Sequence, residues 1–174
     1  MNGKMRKEYL IFVDYEKCDG CGDCVEACAS IPWHLGTSLI FISEVDKPEG
    51  KRFFPILCMQ CANPPCANAC PTEAIKRRED LNVTLAPDES KCIGCQNCVL
   101  VCPFGASIFE ASAKLSLKCD LCIDLKSGEA KPACVEACKS KGAIIFEEQT
   151  VIKDKIRREV AFKLVSALPL RGFH

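Results

Sequence analysis

The sequence predicts an α+β protein assembled from small repeated units, and its cysteines are the main reason. Sixteen of the 174 residues are cysteine, and they form four sets of four, each opening with C-x2-C and closing with C-x3-C. Three sets are followed by PTEAI, PFGASIF and KSKGAIIF, which combine a turn with apolar residues typical of a strand. Pro71 and Pro103 directly follow a cysteine and end the helix before them. The repeated unit is therefore a loop, a short helix, a turn and a strand.

The four sets differ only in the gap between their two cysteine pairs. In the first and third sets only two residues separate the pairs, giving C-x2-C-x2-C-x3-C, whereas a longer gap separates them in the second and fourth. The segments DYEKCDGCGDC and DESKCIGCQNC also match at Asp, Lys and Gly, which indicates duplication. In order, the sets are Cys18, Cys21, Cys24 and Cys28; Cys58, Cys61, Cys66 and Cys70; Cys92, Cys95, Cys98 and Cys102; Cys119, Cys122, Cys134 and Cys138.

This spacing is typical of iron–sulfur clusters. Three thiolates around one compact cluster can come from a tight C-x2-C-x2-C loop, but a cysteine four residues further on points along the helix toward another site. In bacterial runs that end in Cys-Pro, this last cysteine ligates the other cluster of a pair, so motifs should act in twos. Gly20 and Gly94 lie inside two of the loops and let backbone N–H groups turn toward sulfur, although an ordinary turn also explains them.

Zinc and disulfides are the alternatives. Zinc takes four cysteines from two C-x2-C pairs, and the fourth set alone, KCDLCIDLKSGEAKPACVEAC, fits such a site. A zinc site does not require a repeated C-x2-C-x2-C loop with Cys-Pro endings. Iron–sulfur clusters are therefore favoured over zinc. Disulfides need an oxidising compartment. The apolar run at residues 9–13 is too short for a signal peptide, so we expect a cytoplasmic protein with reduced thiols.

Composition argues against several other functions. The 23 basic residues balance 23 acidic ones, which gives no electrostatic case for nucleic acid. No apolar segment is long enough to span a bilayer, so direct membrane insertion is not expected and any membrane association would go through a partner. The chain has two histidines, no Gly-rich nucleotide loop and no nucleophile beside a base. We therefore predict no catalytic residues and no enzyme activity of its own.

The segments CIGCQNCVLVCP and CMQCANPPCANACPTEAI resemble a bacterial two-cluster ferredoxin. Over residues 9–146, the four sets together resemble the four-cluster, ferredoxin-like electron-transfer subunits of multi-subunit oxidoreductases. That family includes the iron–sulfur subunits of formate dehydrogenase, dimethyl sulfoxide reductase, hydrogenase, carbon monoxide dehydrogenase and tungsten aldehyde oxidoreductase complexes. The resemblance implies four [4Fe–4S] clusters that relay single electrons between a catalytic subunit and ferredoxin or a similar acceptor.

The expected cytoplasmic location ranks the catalytic partners that this resemblance implies. A tungsten or molybdenum aldehyde oxidoreductase comes first, followed by carbon monoxide dehydrogenase, formate dehydrogenase or hydrogenase. Two other functions stay open, namely a free-standing polyferredoxin and a zinc-stabilised interaction scaffold.

The resemblance also implies a nested pairing, the first motif with the fourth and the second with the third. It predicts an outer ferredoxin-like module of residues 1–57 and 103–149, an inner one of residues 58–102, and a C-terminal helix and tail of residues 150–174. The clusters are expected in a line with an outer cluster at each end. The implied ligands are Cys18, Cys21, Cys24 and Cys138 for cluster 1; Cys28, Cys119, Cys122 and Cys134 for cluster 2; Cys58, Cys61, Cys66 and Cys102 for cluster 3; Cys70, Cys92, Cys95 and Cys98 for cluster 4.

Other residues near the motifs have structural interpretations. We expect His34 to be a structural hydrogen-bonding residue, and Phe53 and Phe54 to shield a cluster from water. Three lysines each precede the first cysteine of a motif, where a cation can raise a cluster's potential, but a solvated side chain is the commoner case. They are Lys17, Lys91 and Lys118.

Two further elements and one loop are candidate partner contacts. Residues 38–54 predict a β-hairpin. The loop IDLKSGEAKPA is predicted to lie on the surface. Apolar residues recur every four positions near the C-terminus, which predicts an amphipathic helix ending near Pro169. They are Ile152, Ile156, Val160, Leu164 and Leu168.

Overall fold

The computed structural model describes residues 9–80, 82–123, 131–138 and 142–167. Within them the chain forms short helices and short antiparallel strands, as expected for α+β. The helices are α1 (Asp23–Ala29), α2 (Pro65–Asn68), α3 (Asn97–Leu100), α4 (Ala133–Ala137) and α5 (Gln149–Ala167), with a 3-10 turn at Pro32–His34. The strands are β1 (Tyr9–Val13), β2 (Phe41–Lys47), β3 (Gly50–Ile56), β4 (Arg77–Arg78), β5 (Val83–Thr84), β6 (Ser107–Glu110), β7 (Leu115–Lys118) and β8 (Ile144–Glu148).

The strands pair into two-stranded antiparallel sheets, β1 with β8, β2 with β3, β4 with β5 and β6 with β7. The β1–β8 pair joins the two ends of the cysteine-rich region, with Tyr9 opposite Glu148 and Val13 opposite Ile144. Helix α1 of the first motif packs on α4 of the fourth, and α2 of the second contacts α3 of the third. The helices therefore associate in the same nested order that the motifs predict.

The predicted hairpin is confirmed as β2 and β3. Phe41 lies opposite Ile56 and Lys47 opposite Gly50, which leaves Pro48 and Glu49 as a two-residue turn. The turn is tighter than DKPEGK suggested because both strands extend into that segment.

The core has two parts of unequal size. The larger contains cysteines of the first and fourth motifs together with apolar residues such as Ile11, Leu39 and Leu57. The smaller consists of Cys66, Ile75 and Cys98, with a few half-buried neighbours. Cysteines thus make up a substantial share of the interior, and most of all in the smaller core.

Helix α5 confirms the predicted C-terminal helix. It begins directly after β8 and contacts β1 and β8, where Ile152 is buried. Ile156 and Val160, on the same face one and two turns later, are exposed. The side chain of Leu164, the residues Leu168 and Pro169, and residues 124–130 of the predicted surface loop lie outside the described residues.

Candidate metal centres

Three cavities are each lined by four cysteines drawn from two motifs. Each encloses roughly 260–360 Å³ between protein atoms, a volume that includes some open solvent. The cysteine sets are Cys58, Cys61, Cys66 and Cys102; Cys70, Cys92, Cys95 and Cys98; Cys18, Cys21, Cys24 and Cys138. They coincide with the sets expected for clusters 3, 4 and 1.

The remaining four cysteines also lie near one another, next to the larger core. Burial, followed by the neighbouring thiolates of Cys122 and Cys28, raises the pKa of the Cys134 thiol to about 12. Burial first, then the charge of Cys58 and, more weakly, that of Cys134, raises the pKa of the Cys119 thiol well above its usual value. Thiols in such surroundings ionise only when a metal compensates the charge.

The four motifs share one backbone feature. The residue before the second cysteine is left-handed in each, with φ of 79° at Gly20, 48° at Gln60, 66° at Gly94 and 63° at Leu121. The sequence offers glycine at only two of these positions, so it could not show that all four loops turn alike. The buried Gln60 is held by its side chain, which donates to the Cys119 carbonyl at 2.8 Å and accepts from the Thr84 N–H at 2.9 Å.

At Gly20 and Gly94 the lack of a side chain is also a steric requirement. A Cβ on Gly20 would lie 2.6 Å from a ring carbon of Phe53, and one on Gly94 would lie 2.8 Å from the Lys114 carbonyl oxygen. The ordinary-turn interpretation is therefore incomplete. Phe53 covers the first motif's loop, and Phe54 packs against Tyr15 with ring centroids 5.3 Å apart.

The first and fourth motifs share a further feature that the sequence analysis missed. The Asp19 carboxylate accepts a hydrogen bond from the Cys21 N–H at 3.1 Å, and Asp120 accepts one from Cys122 at 2.9 Å. The sequence signal is the pattern Cys-Asp-x-Cys, which occurs in these two motifs and not in the others. An Asx turn therefore forms both loops of the predicted outer pair.

Backbone N–H groups point at the last cysteine of three motifs. The Leu39 N–H donates to the Cys28 Sγ at 3.3 Å, and the Ala106 N–H donates to the Cys102 Sγ at 3.3 Å. Burial opposes ionisation of Cys70, but hydrogen bonds from Ile75 and Thr72 outweigh it and lower the pKa of this thiol. Such bonds stabilise negative charge on sulfur and tune the potential of a bound cluster.

The three motif lysines have different surroundings. Lys17 pairs with Asp14 at 2.6 Å and Lys91 with Asp88 at 2.9 Å. The two lysine side chains are 42% and 50% exposed, which confirms the expectation that they are solvated. For Lys118 that expectation is wrong, because it is 3% exposed. Its ammonium donates to the carbonyls of Thr84 at 2.8 Å and Cys119 at 2.6 Å.

His34 is a structural hydrogen-bonding residue, as expected. The ring is buried, and its Nδ1–H donates to the Cys28 carbonyl at 2.7 Å. Burial is the main cause that lowers the pKa of this histidine. It therefore ties the turn at Pro32–His34 to the end of α1.

The cysteine geometry suits clusters better than a single ion or disulfides. All sixteen cysteines lie among the described residues, and none of them is in a disulfide. Zinc–sulfur bonds of about 2.3 Å would draw four sulfurs to a common point. In the described parts of the protein, no three His, Cys, Asp or Glu side chains lie close enough to bind one ion. Twelve of the sixteen cysteines instead line the three cavities, as a compact multi-iron group requires.

Contacts between the sets give the cavities an order. Cys24 of the first set interacts both with Cys138 of its own set and with Cys134 of the second set. The first and second sets are therefore neighbours. Cys119 of the second set interacts with Cys58 of the third. The third and fourth sets meet where α2 contacts α3. The two outer sets are thus adjacent, because α1 and α4 pack together, and this differs from the expected line with an outer cluster at each end.

Four-cysteine cavities with N–H groups aimed at sulfur define the class of an iron–sulfur protein. The sequence matches the model of the 4Fe–4S dicluster domain over residues 50–149, and a second 4Fe–4S dicluster model over residues 17–74. This protein belongs to the 4Fe–4S dicluster family. It is a ferredoxin-like electron-transfer protein and is not catalytic by itself.

Relatives at 30–35% identity cover nearly the whole chain. An uncharacterized ferredoxin of Methanocaldococcus jannaschii is 35% identical over 91% of this chain and 92% of its own length. A polysulfide reductase component of Wolinella succinogenes is 34% identical over 91% and 86%, and a sulfite dehydrogenase component of Allochromatium vinosum is 30% identical over 91% and 78%. These two names point to sulfur-compound enzymes and give the predicted aldehyde oxidoreductase partner no support. No helix among the described residues is long and apolar enough to cross a membrane.

Proposed function

We propose that the protein is an electron-transfer subunit that holds four [4Fe–4S] clusters and relays single electrons along them. The observation that carries this proposal is that each of three cavities is lined by four cysteines from two different motifs. The ligands are the four sets implied by the family resemblance, with Cys28, Cys119, Cys122 and Cys134 as the fourth set. When bound, such a cluster takes up and returns one electron at a potential that the protein sets.

The proposed modules keep the predicted bounds, with residues 1–57 and 103–149 outside, residues 58–102 inside and residues 150–174 at the C-terminus. The β1–β8 pair and the packing of α1 on α4 support the outer module, and the α2–α3 contact supports the inner one. The β6–β7 hairpin belongs to the outer module by sequence, yet its residues Ser116 and Lys118 line the inner cavities. This hairpin therefore joins the modules.

The contacts support a relay in the order of clusters 1, 2, 3 and 4. Its ends are the cavity of Cys18, Cys21, Cys24 and Cys138 and that of Cys70, Cys92, Cys95 and Cys98. Both ends reach the surface, since Cys21 and Cys95 are exposed. Interior cysteines such as Cys122 and Cys134 are buried. One end would receive electrons from a partner and the other would deliver them.

The proposed partner is the catalytic subunit of an oxidoreductase that acts on an inorganic sulfur compound. The relatives named as components of polysulfide reductase and of sulfite dehydrogenase support this class. Ferredoxin or a similar carrier is the proposed second partner, and the cytoplasm is the proposed location.

Metal analysis of the purified protein tests the cluster proposal. Anaerobically purified protein should contain iron and acid-labile sulfide in equal amounts, four of each per cluster, and its visible absorbance should bleach on reduction. Stoichiometric zinc without sulfide would contradict the proposal and favour the interaction scaffold.

A free-standing polyferredoxin is the second candidate, because the Methanocaldococcus jannaschii relative is named a ferredoxin and matches over 92% of its length. Size-exclusion chromatography of native extract separates the two functions. A catalytic subunit that co-elutes with bound molybdenum, tungsten or nickel supports the complex. Elution of the protein alone at its own mass supports the polyferredoxin.

A further inference from the structure

Lys118 is a buried cation at the wall of a cysteine-lined cavity. It lies on β7 and lines the cavity of Cys58, Cys61, Cys66 and Cys102. Lysine is almost never fully buried without partners, and here two backbone carbonyls, of Thr84 and Cys119, accept from its ammonium. Two fixed hydrogen bonds hold the charge at one place.

A fixed positive charge matters at this place because a cluster gains a negative charge on reduction. The attraction between the two charges is several times stronger in a protein interior than in water. Lys17 and Lys91 occupy the same motif position, but each is exposed and neutralised by an aspartate, so solvent and ion pairing screen their charges.

We propose that Lys118 raises the reduction potential of the cluster held by Cys58, Cys61, Cys66 and Cys102. This inference rests on the proposed function. Lysine is absent from the described linings of the Cys18 cavity and the Cys70 cavity, so the potentials of clusters 1 and 4 should not depend on Lys118. Cluster 2 is affected less, through Cys119, whose carbonyl accepts one of the two hydrogen bonds.

The position of Lys118 also matters for the relay. In the relay order proposed above, an interior cluster of raised potential would hold the electron between its neighbours.

The test is a potentiometric titration of the loaded full-length protein, followed by EPR. In Lys118→Met, the equilibrium constant for reduction of cluster 3 should fall at least tenfold. This corresponds to a midpoint potential lower by about 59 mV for a one-electron couple. A second cluster should shift less, and two should not move. Lys118→Gln keeps an N–H donor but removes the charge, so it should show the same fall, whereas Lys118→Arg should restore most of it.

Lys91→Met is the matched control, because it removes a lysine at the same motif position and should leave all four midpoints unchanged. Iron and sulfide are measured in every variant. Intact clusters with unmoved midpoints in Lys118→Met and Lys118→Gln would overturn the role of Lys118 alone. Iron and sulfide missing from the unaltered protein would instead overturn the proposed function.

Discussion

Gly20 shows how closely a single residue position is constrained in these loops. Its φ of 79° is left-handed, and an added Cβ would lie 2.6 Å from Phe53. We expect Gly20→Ala to cost about 1–2 kcal/mol of backbone strain and a further 1–3 kcal/mol of overpacking against the ring. The measurement is the guanidinium concentration at which half of the visible absorbance is lost under anaerobic conditions.

Gly22 provides the matched control, because its φ is 86° but nothing lies within 4 Å of an added Cβ. Gly22→Ala should therefore lose only the strain component. Combining Gly20→Ala with Phe53→Ala should recover the overpacking component as a measurable coupling between the two sites. Equal midpoints for Gly20→Ala and Gly22→Ala would contradict the steric explanation.

The motif lysines mark the limit of prediction from sequence at the residue scale. Lys17 and Lys91 each follow an aspartate three residues earlier, and they pair with it at the surface. Lys118 instead ends the alternating segment LSLK, which forms β7. The sequence around Lys118 thus differs visibly from that around Lys17 and Lys91. The burial of Lys118, however, depends on the carbonyls of Thr84 and Cys119, which come close to its ammonium only in the folded chain.

At the scale of elements, Cys134 in α4 and Cys138 directly after this helix lie beside different sets of cysteines. Cys138 shares a cavity with Cys18, Cys21 and Cys24, whereas Cys134 lies beside Cys28 and Cys122. We expect Cys138→Ser and Cys24→Ser to alter the EPR signal of the same cluster. Cys134→Ser, only one helical turn away from Cys138, should alter a different signal. If Cys138→Ser and Cys134→Ser changed the same signal, the nested pairing would be wrong.

Among the described side chains of helix α5, residues 149–162, burial is found mainly at the start of the helix. Ile152 is 7% exposed and packs near β1 and β8, while Ile156 is 36% exposed. Ile152→Ala should cost about 2–5 kcal/mol, because it leaves a cavity in the core. Ile156→Ala should cost less than about 1 kcal/mol, since alanine also favours the helix. Guanidinium midpoints of the loaded protein compare the two, and equal losses would contradict this anchoring.

The elements were largely predictable from sequence because their signals are local. Residues 38–54 alternate around a turn segment and form β2 and β3, and the four-residue apolar period forms α5. The prediction that this helix is amphipathic was only partly correct, because Val160, which belongs to the predicted apolar face, is exposed. The pairing of β1 with β8 depends on contacts across more than a hundred residues, which no local pattern records.

At the scale of the whole molecule, the protein has two cores that differ in how many apolar side chains they contain besides cysteine. The larger one contains Ile11, Leu39, Leu57 and other apolar side chains besides its cysteines. In the smaller one, two of the three buried residues are Cys66 and Cys98. The inner elements are also very short, since α2 and α3 have four residues each and β4 and β5 have two. Elements of this length are not stable alone.

We therefore expect removal of iron to unfold most of the chain, and the inner region first. Thiolate–metal bonds replace apolar burial there, so metal binding supplies folding free energy. Anaerobic chelation should remove most of the far-ultraviolet circular dichroism. Hydrogen exchange should show complete loss of protection at α2 and α3, with some protection left at β1, β8, β2 and β3. Iron-saturated chelator is the control. An unchanged circular dichroism spectrum, or inner helices that outlast the β1–β8 pair, would show that the apolar cores alone hold the fold.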